Sequence, residues 1–480
     1  MIAVARPSWA LCERGRKFEH REAEALSQGE MKRTSKAGER RSAAQMHALA
    51  AVRREIVLRD SCGGRKYLRE YTQAFRRYDS VLTPEQLNQK IAAADILFVG
   101  DYHALPASQR FAASLIEQIS ATRGVVLCVE AVLSRDQTIL DSWWRREISE
   151  EELRKRLRFD REWGYAWEPT LELLSSARDH ADAIYGLDCM PREDMRRIRS
   201  RDRHAAAKIS EARSEHPDAV FLVLFGESHM APEHLPRLAK EHLPNESMLT
   251  ILQNVDSLYW QAVGENALAV DIGPGSVCVF NSSPLEKYES YRLCLERWNS
   301  DDQTDFAPAV YNVIFSLART LGFRLDSPHN GTQPKYLADS LPEIVSVGEL
   351  EHKPCAWGNL PSDVLERIED TGCCYVAGTN QIFVREFNMP HVAAQSARFL
   401  LHACRGMKKE DSPEMEAALA HFGARLLSPG TQAEEQELDS QGETIYRGYV
   451  EGRITRARIR RLFLGNSSET DAILSALRFS

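Results

Sequence analysis

The sequence predicts an α/β fold: an open, mostly parallel sheet with helices on both faces, followed by a mainly helical C-terminal region. Three observations predict it. Short apolar runs alternate with longer stretches of helical period from Leu82 to about Phe280. The stretches between the runs are long enough to serve as crossovers, which parallel strands require. After Ser283 the alternation fades and amphipathic helical patterns take over.

The elements follow in order. Ile96-Leu97-Phe98-Val99 is the first strand, with a helix from about Pro106 to Ser120. Gly124 to Val129 is the second, followed by a polar segment rich in Trp, Glu and Arg. Ala183 to Leu187 is the third and leads into a basic helix around Asp194 to Glu215. Val220 to Phe225 is the fourth, with a helix from about Pro232 to Glu241, and Met248 to Leu252 is the fifth. Ala267 to Ile272 and Val277 to Phe280, joined by Gly273-Pro274-Gly275-Ser276, read as a hairpin at the edge of the sheet. Farther on, Tyr288 to Asn299, Phe306 to Leu321 and His391 to Ala403 read as helices, and Cys373 to Val376 with Gln381 to Arg385 as a strand pair. Ile445 to Leu464 is helical and basic, its charges coating a solvated face. The expected domains are an N-terminal extension over 1–80, basic and either disordered or helical, an α/β domain over 81–285, and a mainly helical region over 286–480.

Composition narrows the function. With 43% apolar and 27% charged residues, the 480-residue chain is globular rather than disordered or fibrous. Its 61 Lys and Arg against 69 Asp and Glu leave a net charge of −8, the wrong sign for gripping nucleic acid. No apolar run approaches the roughly 20 residues that span a bilayer. The ten cysteines are scattered without a CxxC pair, which reads as reduced, mostly buried thiols. The first residues lack the apolar core of a secretory or lipoprotein signal, so a cytoplasmic location is expected.

The informative feature is an internal echo. Gly100-Asp101-Tyr102-His103-Ala104-Leu105-Pro106 follows the first strand and Gly226-Glu227-Ser228-His229-Met230-Ala231-Pro232 follows the fourth. Glycine permits a sharp reversal leaving the sheet, and proline suits a first helical turn. The histidine is then held at the carboxyl edge, where open α/β sheets bind ligands. Other strands end in Glu130, Asp188 and Asn254. With parallel strands, His103, Glu130, Asp188 and His229 line one rim, joined by Asn254. Two histidines with carboxylates suit a divalent metal held by His103, His229 and Glu130, or a water activated by general base catalysis. As bland alternatives, Glu130 and Asp188 are helix caps, while Asp101 and Glu227 only orient their neighbours. Tyr102 is core, hydrogen-bond donor or iron ligand.

Trp143, Trp144, Trp163, Tyr165 and Trp167 lie between the second and third strands. They either bury their own insertion or wall a ligand cavity that suits a flat aromatic cofactor. Arg192, Arg196, Arg197, Arg199, Arg201 and Arg203 cluster on the next helix, mostly solvated, with one or two free to meet an acidic ligand group. Met230 replaces the final glycine of a GxSxG elbow, which weakens a serine-hydrolase reading. The chain has no HExxH, and neither GxGxxG nor GxxxxGK[ST] occurs at a strand-to-helix turn.

GDYHALPASQRF after a strand, the strand-terminal glutamate, the aromatic segment, Arg201-Asp202-Arg203-His204-Ala205-Ala206 and GESHMAP together resemble the ChaN-like haem-binding uptake family. That family lies in the Tiki superfamily with TraB, PrgY and erythromycin esterases, and the resemblance covers roughly residues 80–285. It implies His103 and His229 as motif histidines, Glu130 as motif carboxylate and Arg201 as their site partner. It also implies a haem or iron ligand bound between subunits, hence a homodimer, with Tyr102 and His103 as candidate haem ligands. The superfamily's metal-dependent peptidases and esterases imply the alternative, a hydrolase in which Glu130 activates water beside His103 and His229.

Overall fold

The computed structural model describes residues 36–59, 66–190, 198–263, 267–299, 304–323, 341–347, 360–405, 413–428 and 440–464. The N-terminal extension up to residue 35 lies outside the described residues, as do Arg192, Arg196 and Arg197. The chain divides into two units. An α/β unit takes in Arg59–Ala262 and Ala267–Asn281, and a mainly helical unit takes in Glu30–Leu58, Val263–Asn266 and Ser282–Ser480. Among the described residues no helix is long and apolar enough to cross a membrane.

The α/β unit begins with α1 (Lys66–Ala74), β1 (Ser80–Leu82), α2 (Pro84–Ala92) and β2 (Ile96–Asp101). It continues through α3 (Pro106–Ser120), β3 (Val125–Leu133), α4 (Gln137–Trp144), α5 (Glu150–Arg156), α6 (Phe159–Glu162) and α7 (Trp167–His180). Next come β4 (Ala183–Asp188), α8 (Ile198–Glu215), β5 (Val220–Gly226) and α9 (Leu235–His242). It closes with β6 (Met248–Gln253), α10 (Asp256–Ala262), β7 (Ala269–Gly273) and β8 (Ser276–Val279). Composition explains the central strands. Every residue of β2 and β5 is buried, as expected for parallel strands covered on both faces. Each large apolar side chain so buried contributes about 1.5–3 kcal/mol.

The described strands form one eight-stranded sheet in the order β1-β7-β8-β6-β2-β5-β3-β4. From β8 to β4 all neighbours are parallel. β7 and β8 form the expected hairpin, but not at the edge: β1 pairs antiparallel outside β7. A strand of three residues leaves too short a run to show in the sequence.

Strand order places the site. From β2 the chain steps across β5 to reach β3, whereas from β5 it steps across β2 to reach β6. Connections that leave adjacent strands in opposite directions open a crevice at their carboxyl ends, the switch point where such sheets bind ligands. His103 follows β2 and His229 follows β5.

The helical unit contains the expected helices as Pro284–Asn299, Ala307–Leu321 and Met389–Arg405, together with Lys36–Arg59, Ser362–Thr371 and Pro413–Leu427. The basic stretch is two helices, Ser440–Val450 and Arg456–Leu464, separated by a turn at Gly452 with φ +83°. β10 (Cys373–Val376) and β11 (Gln381–Val384) pair as expected, and β9 (Glu343–Ser346) adds a parallel partner to β11.

Close packing in the α/β unit gives one stability test. A Cβ on Gly186 would lie 2.9 Å from both Val132 Cγ1 and the Val132 carbonyl oxygen, whereas a Cβ on Gly378 would meet nothing within 4 Å. Urea unfolding should show Gly186→Ala losing about 1–3 kcal/mol and Gly378→Ala close to unchanged.

Candidate active site

The first motif is self-contained. β2 ends on Asp101, whose Oδ2 lies 2.7 Å from His103 Nδ1 and whose Oδ1 accepts from Gln109 Nε2 at 2.7 Å. Gln109 is on α3, which starts with Pro106 in its first turn as expected. His103 Nε2 then faces Glu130 Oε2 at 3.6 Å. Burial opposes a charge on this ring, but the Asp101 and Glu130 carboxylates outweigh it and raise the His103 pKa above its ordinary value.

Glu130 is not strand-terminal: β3 runs on to Leu133, and its pairing with β4 shifts register between Val129 and Leu133. Irregularities of this kind re-aim side chains. Glu130 Oε2 accepts the Gly226 N–H at 2.6 Å and Oε1 accepts from Arg201 Nη2 at 2.5 Å. Arg201, on α8, also donates from Nε and Nη2 to the two oxygens of Asp188, each at 2.8 Å. All three side chains are buried. Burial alone would raise the Glu130 carboxyl, but the charges of His103, Arg201 and His229 hold it down at about 2. Glu130 thus faces His103 of the first motif with the oxygen that holds the leading glycine of the second.

The second motif differs from the first despite its matching letters. Glu227 does not orient His229; it accepts a hydrogen bond from Tyr71 at 3.4 Å. His229 Nδ1 pairs instead with Asp202 Oδ1 from α8. Glu227–Met230 is a 3₁₀ turn, and α9 starts only at Leu235, so Pro232 does not open a helix. Neither Gly100 nor Gly226 has a positive φ. Gly226 is needed for space: a Cβ there would stand 3.1 Å from Glu130 Oε2 and 3.2 Å from His103 Nε2.

The remaining sequence candidates separate. Asp188 accepts from Arg201 and from the Cys189 N–H; the residues that follow it, 191–197, lie outside the described residues. Asn254 is buried and donates to Asn281 Oδ1 at the end of β6. Trp143 is core, with the Arg178 guanidinium 4.1 Å over its ring, and Trp167 packs on Phe159 at 4.8 Å. Trp163 and Tyr165 are different: their rings lie 4.4 and 5.1 Å from His103 and 5.4 Å from each other. Arg199 and Arg203 are exposed. Tyr102, half-buried, precedes His103 in the loop.

His103, Glu130 and His229 are neighbours but do not make a ligand shell. Each histidine gives Nδ1 to a carboxylate of its own, and Glu130 already neutralises a guanidinium. Among the described residues no group of three or more His, Cys, Asp or Glu side chains is placed to hold a metal ion. Sequence reasoning missed Asp202, Tyr67 and His234. Tyr67 donates to Asp202 Oδ2 at 2.7 Å and stacks on His234 at 3.7 Å. For Asp202 a signal existed, its adjacency to Arg201. For Tyr67 on α1 there was none.

The fold and cluster define a class: a parallel α/β unit with a buried imidazole–carboxylate–guanidinium site at its switch point. Residues 87–221 match the family described as haem-binding uptake, Tiki superfamily, ChaN. The resemblance read from the motifs holds over that segment. The solved structure of cofacial heme binding to ChaN of Campylobacter jejuni is similar at 13% identity and a TM-score of 0.28, over 38% of this chain and 89% of that one. The structure of the type III effector HopBA1 is similar at 13% identity and a TM-score of 0.33, over 43% of this chain and 97% of that one. No curated protein matches the chain.

The depressed Glu130 carboxyl gives a pH test. A carboxyl near 4.5 when unfolded and near 2 when folded adds stability that is complete above 4.5. That stability is lost as pH falls through the folded value. Unfolding free energies measured from pH 5 to 2 should therefore fall less steeply in Glu130→Gln than in the parent protein.

Proposed function

We propose that the α/β unit binds haem at the carboxyl edge of its sheet, as cargo rather than as a resident catalyst. The observation that carries this is the ring wall: Trp163 and Tyr165 stand beside His103 on a segment that could have buried them elsewhere. A flat macrocycle gains most from such a wall. The donor chemistry also fits, because a Tyr phenolate binds ferric haem well. Both nitrogens of His103 face carboxylates, so the iron donor in this reading is Tyr102, next to it in the loop. The match of residues 87–221 to a haem-binding uptake family supports the same ligand.

Haemin titration tests this directly. A saturable Soret shift is expected, weakened roughly tenfold or more in Tyr102→Phe and several-fold in Trp163→Ala. A shift that does not saturate, or that ignores both substitutions, removes the reading.

A second reading, an acid–base hydrolase, is favoured by the 2.7 Å pairing of Asp101 with His103. In it the base is His103 rather than Glu130, because Glu130 is pinned by Arg201 and the Gly226 N–H and held too acidic to take a proton near neutrality. Asp101 orients the ring, and Nε2 takes the proton of an attacking water while Glu130 stabilises the imidazolium. With an activated ester as substrate, His103→Ala should lower kcat/KM by about 10²–10⁴-fold at an unchanged Tm. Undiminished turnover would exclude this role.

A further inference from the structure

The two motif histidines are held by the same device, assembled from different parts. His103 Nδ1 meets Asp101, whose second oxygen accepts from the neutral Gln109 amide. His229 Nδ1 meets Asp202, whose second oxygen accepts from the neutral Tyr67 hydroxyl. In the first motif all three residues lie within nine positions of the chain. In the second they come from α1, α8 and the turn after β5, and Tyr67 and His229 both fall outside the family-matched residues 87–221.

Tyr67 is itself fixed. Its ring stacks on His234 with centroids 3.7 Å apart and planes 17° from parallel. His234 is buried and held at both nitrogens: Nδ1 by the Ser228 carbonyl at 2.8 Å and Nε2 by Glu70 Oε2 at 2.9 Å. Ser228 directly precedes His229, so one imidazole braces both the motif turn and the phenol that serves it. Asp202 is fully buried. A buried carboxylate needs donors on both oxygens, and losing one changes how strongly it pulls on the other.

We propose that Tyr67 is a positioning residue of the ligand site: through Asp202 it fixes the ring orientation and tautomer of His229, leaving Nε2 to meet the ligand. Helix α1 is thus a working part of the site rather than a leader to the fold. The proposal rests on the reading of this edge as a ligand site, and it specifies which nitrogen of the second motif is offered there. A carboxylate partner of this kind sets tautomer and basicity in many imidazole sites.

The test is histidine ring ¹⁵N and ¹H resonances in protein with labelled histidine, compared across variants. In Tyr67→Phe the His229 ring signals should move while those of His103 stay in place, and haemin affinity should fall roughly tenfold. In Tyr71→Phe, which loses only the long bond to Glu227, the His229 signals should hold. His229 signals identical in the parent and Tyr67→Phe would overturn the proposal. Should Tyr67→Phe fail to fold, incorporation of 3-fluorotyrosine strengthens the hydroxyl as a donor at nearly constant shape. It should shift His229 measurably, and no shift would again overturn the proposal. If haemin binds to none of these proteins, the ring signals still decide the role of Tyr67, and only the haem reading is lost.

Discussion

The site depends on one buried cation. Arg201 bonds both Glu130 and Asp188. Through them it ties α8 to β3 and β4, and the second oxygen of Glu130 extends the tie to β5 at Gly226. Taking these charges out of water is costly, and ion pairs of this kind seldom raise net stability over an apolar replacement. Their worth lies in what they specify. An ionised carboxylate is kept at the switch point, and together with Asp101 it favours the charged form of the His103 ring.

The frame of the site was legible because parallel strands covered on both faces must be apolar throughout. Ile96 to Val99, Val220 to Phe225 and Met248 to Leu252 announce β2, β5 and β6 directly. What the sequence could not give was lateral order. Nothing in these runs says that β5 inserts between β2 and β3, and that insertion alone makes His103 and His229 neighbours. Tyr67 illustrates the limit. Its neighbours Lys66 and Glu70 look like a solvated helix face, and its role appears only when α1 is seen against Asp202 and His234. Glu130 was found for a reason that proved incomplete, since a register shift inside β3 aims it, not the end of a strand.

Matching letters did not produce matching turns. After β2 the acid of the motif holds its own histidine and the proline opens α3; after β5 the acid turns to Tyr71 and the proline lies in a loop before α9. What the two repeats share is the glycine–histidine spacing and the strand end that carries it. The support behind each imidazole was rebuilt from whatever elements the topology brought near. A short signature therefore predicts where a reactive group sits more reliably than what holds it.

Formal charge separates the two readings of the site. Among the described residues, Asp101, Glu130, Asp188 and Asp202 supply four carboxylates and Arg201 one guanidinium, a set that stays negative even with both motif histidines protonated. A hydrolytic site must stabilise an oxyanion, yet the Arg201 guanidinium is already shared by two carboxylates. A floor of this sign instead favours a cation approaching the edge. Ferric haem offers its positive iron at the centre of the ring and its acidic groups at the periphery, so it can meet the floor with the metal while its carboxylates stay toward solvent. That electrostatic preference and the aromatic wall beside His103 are the physical support for the proposed haem reading.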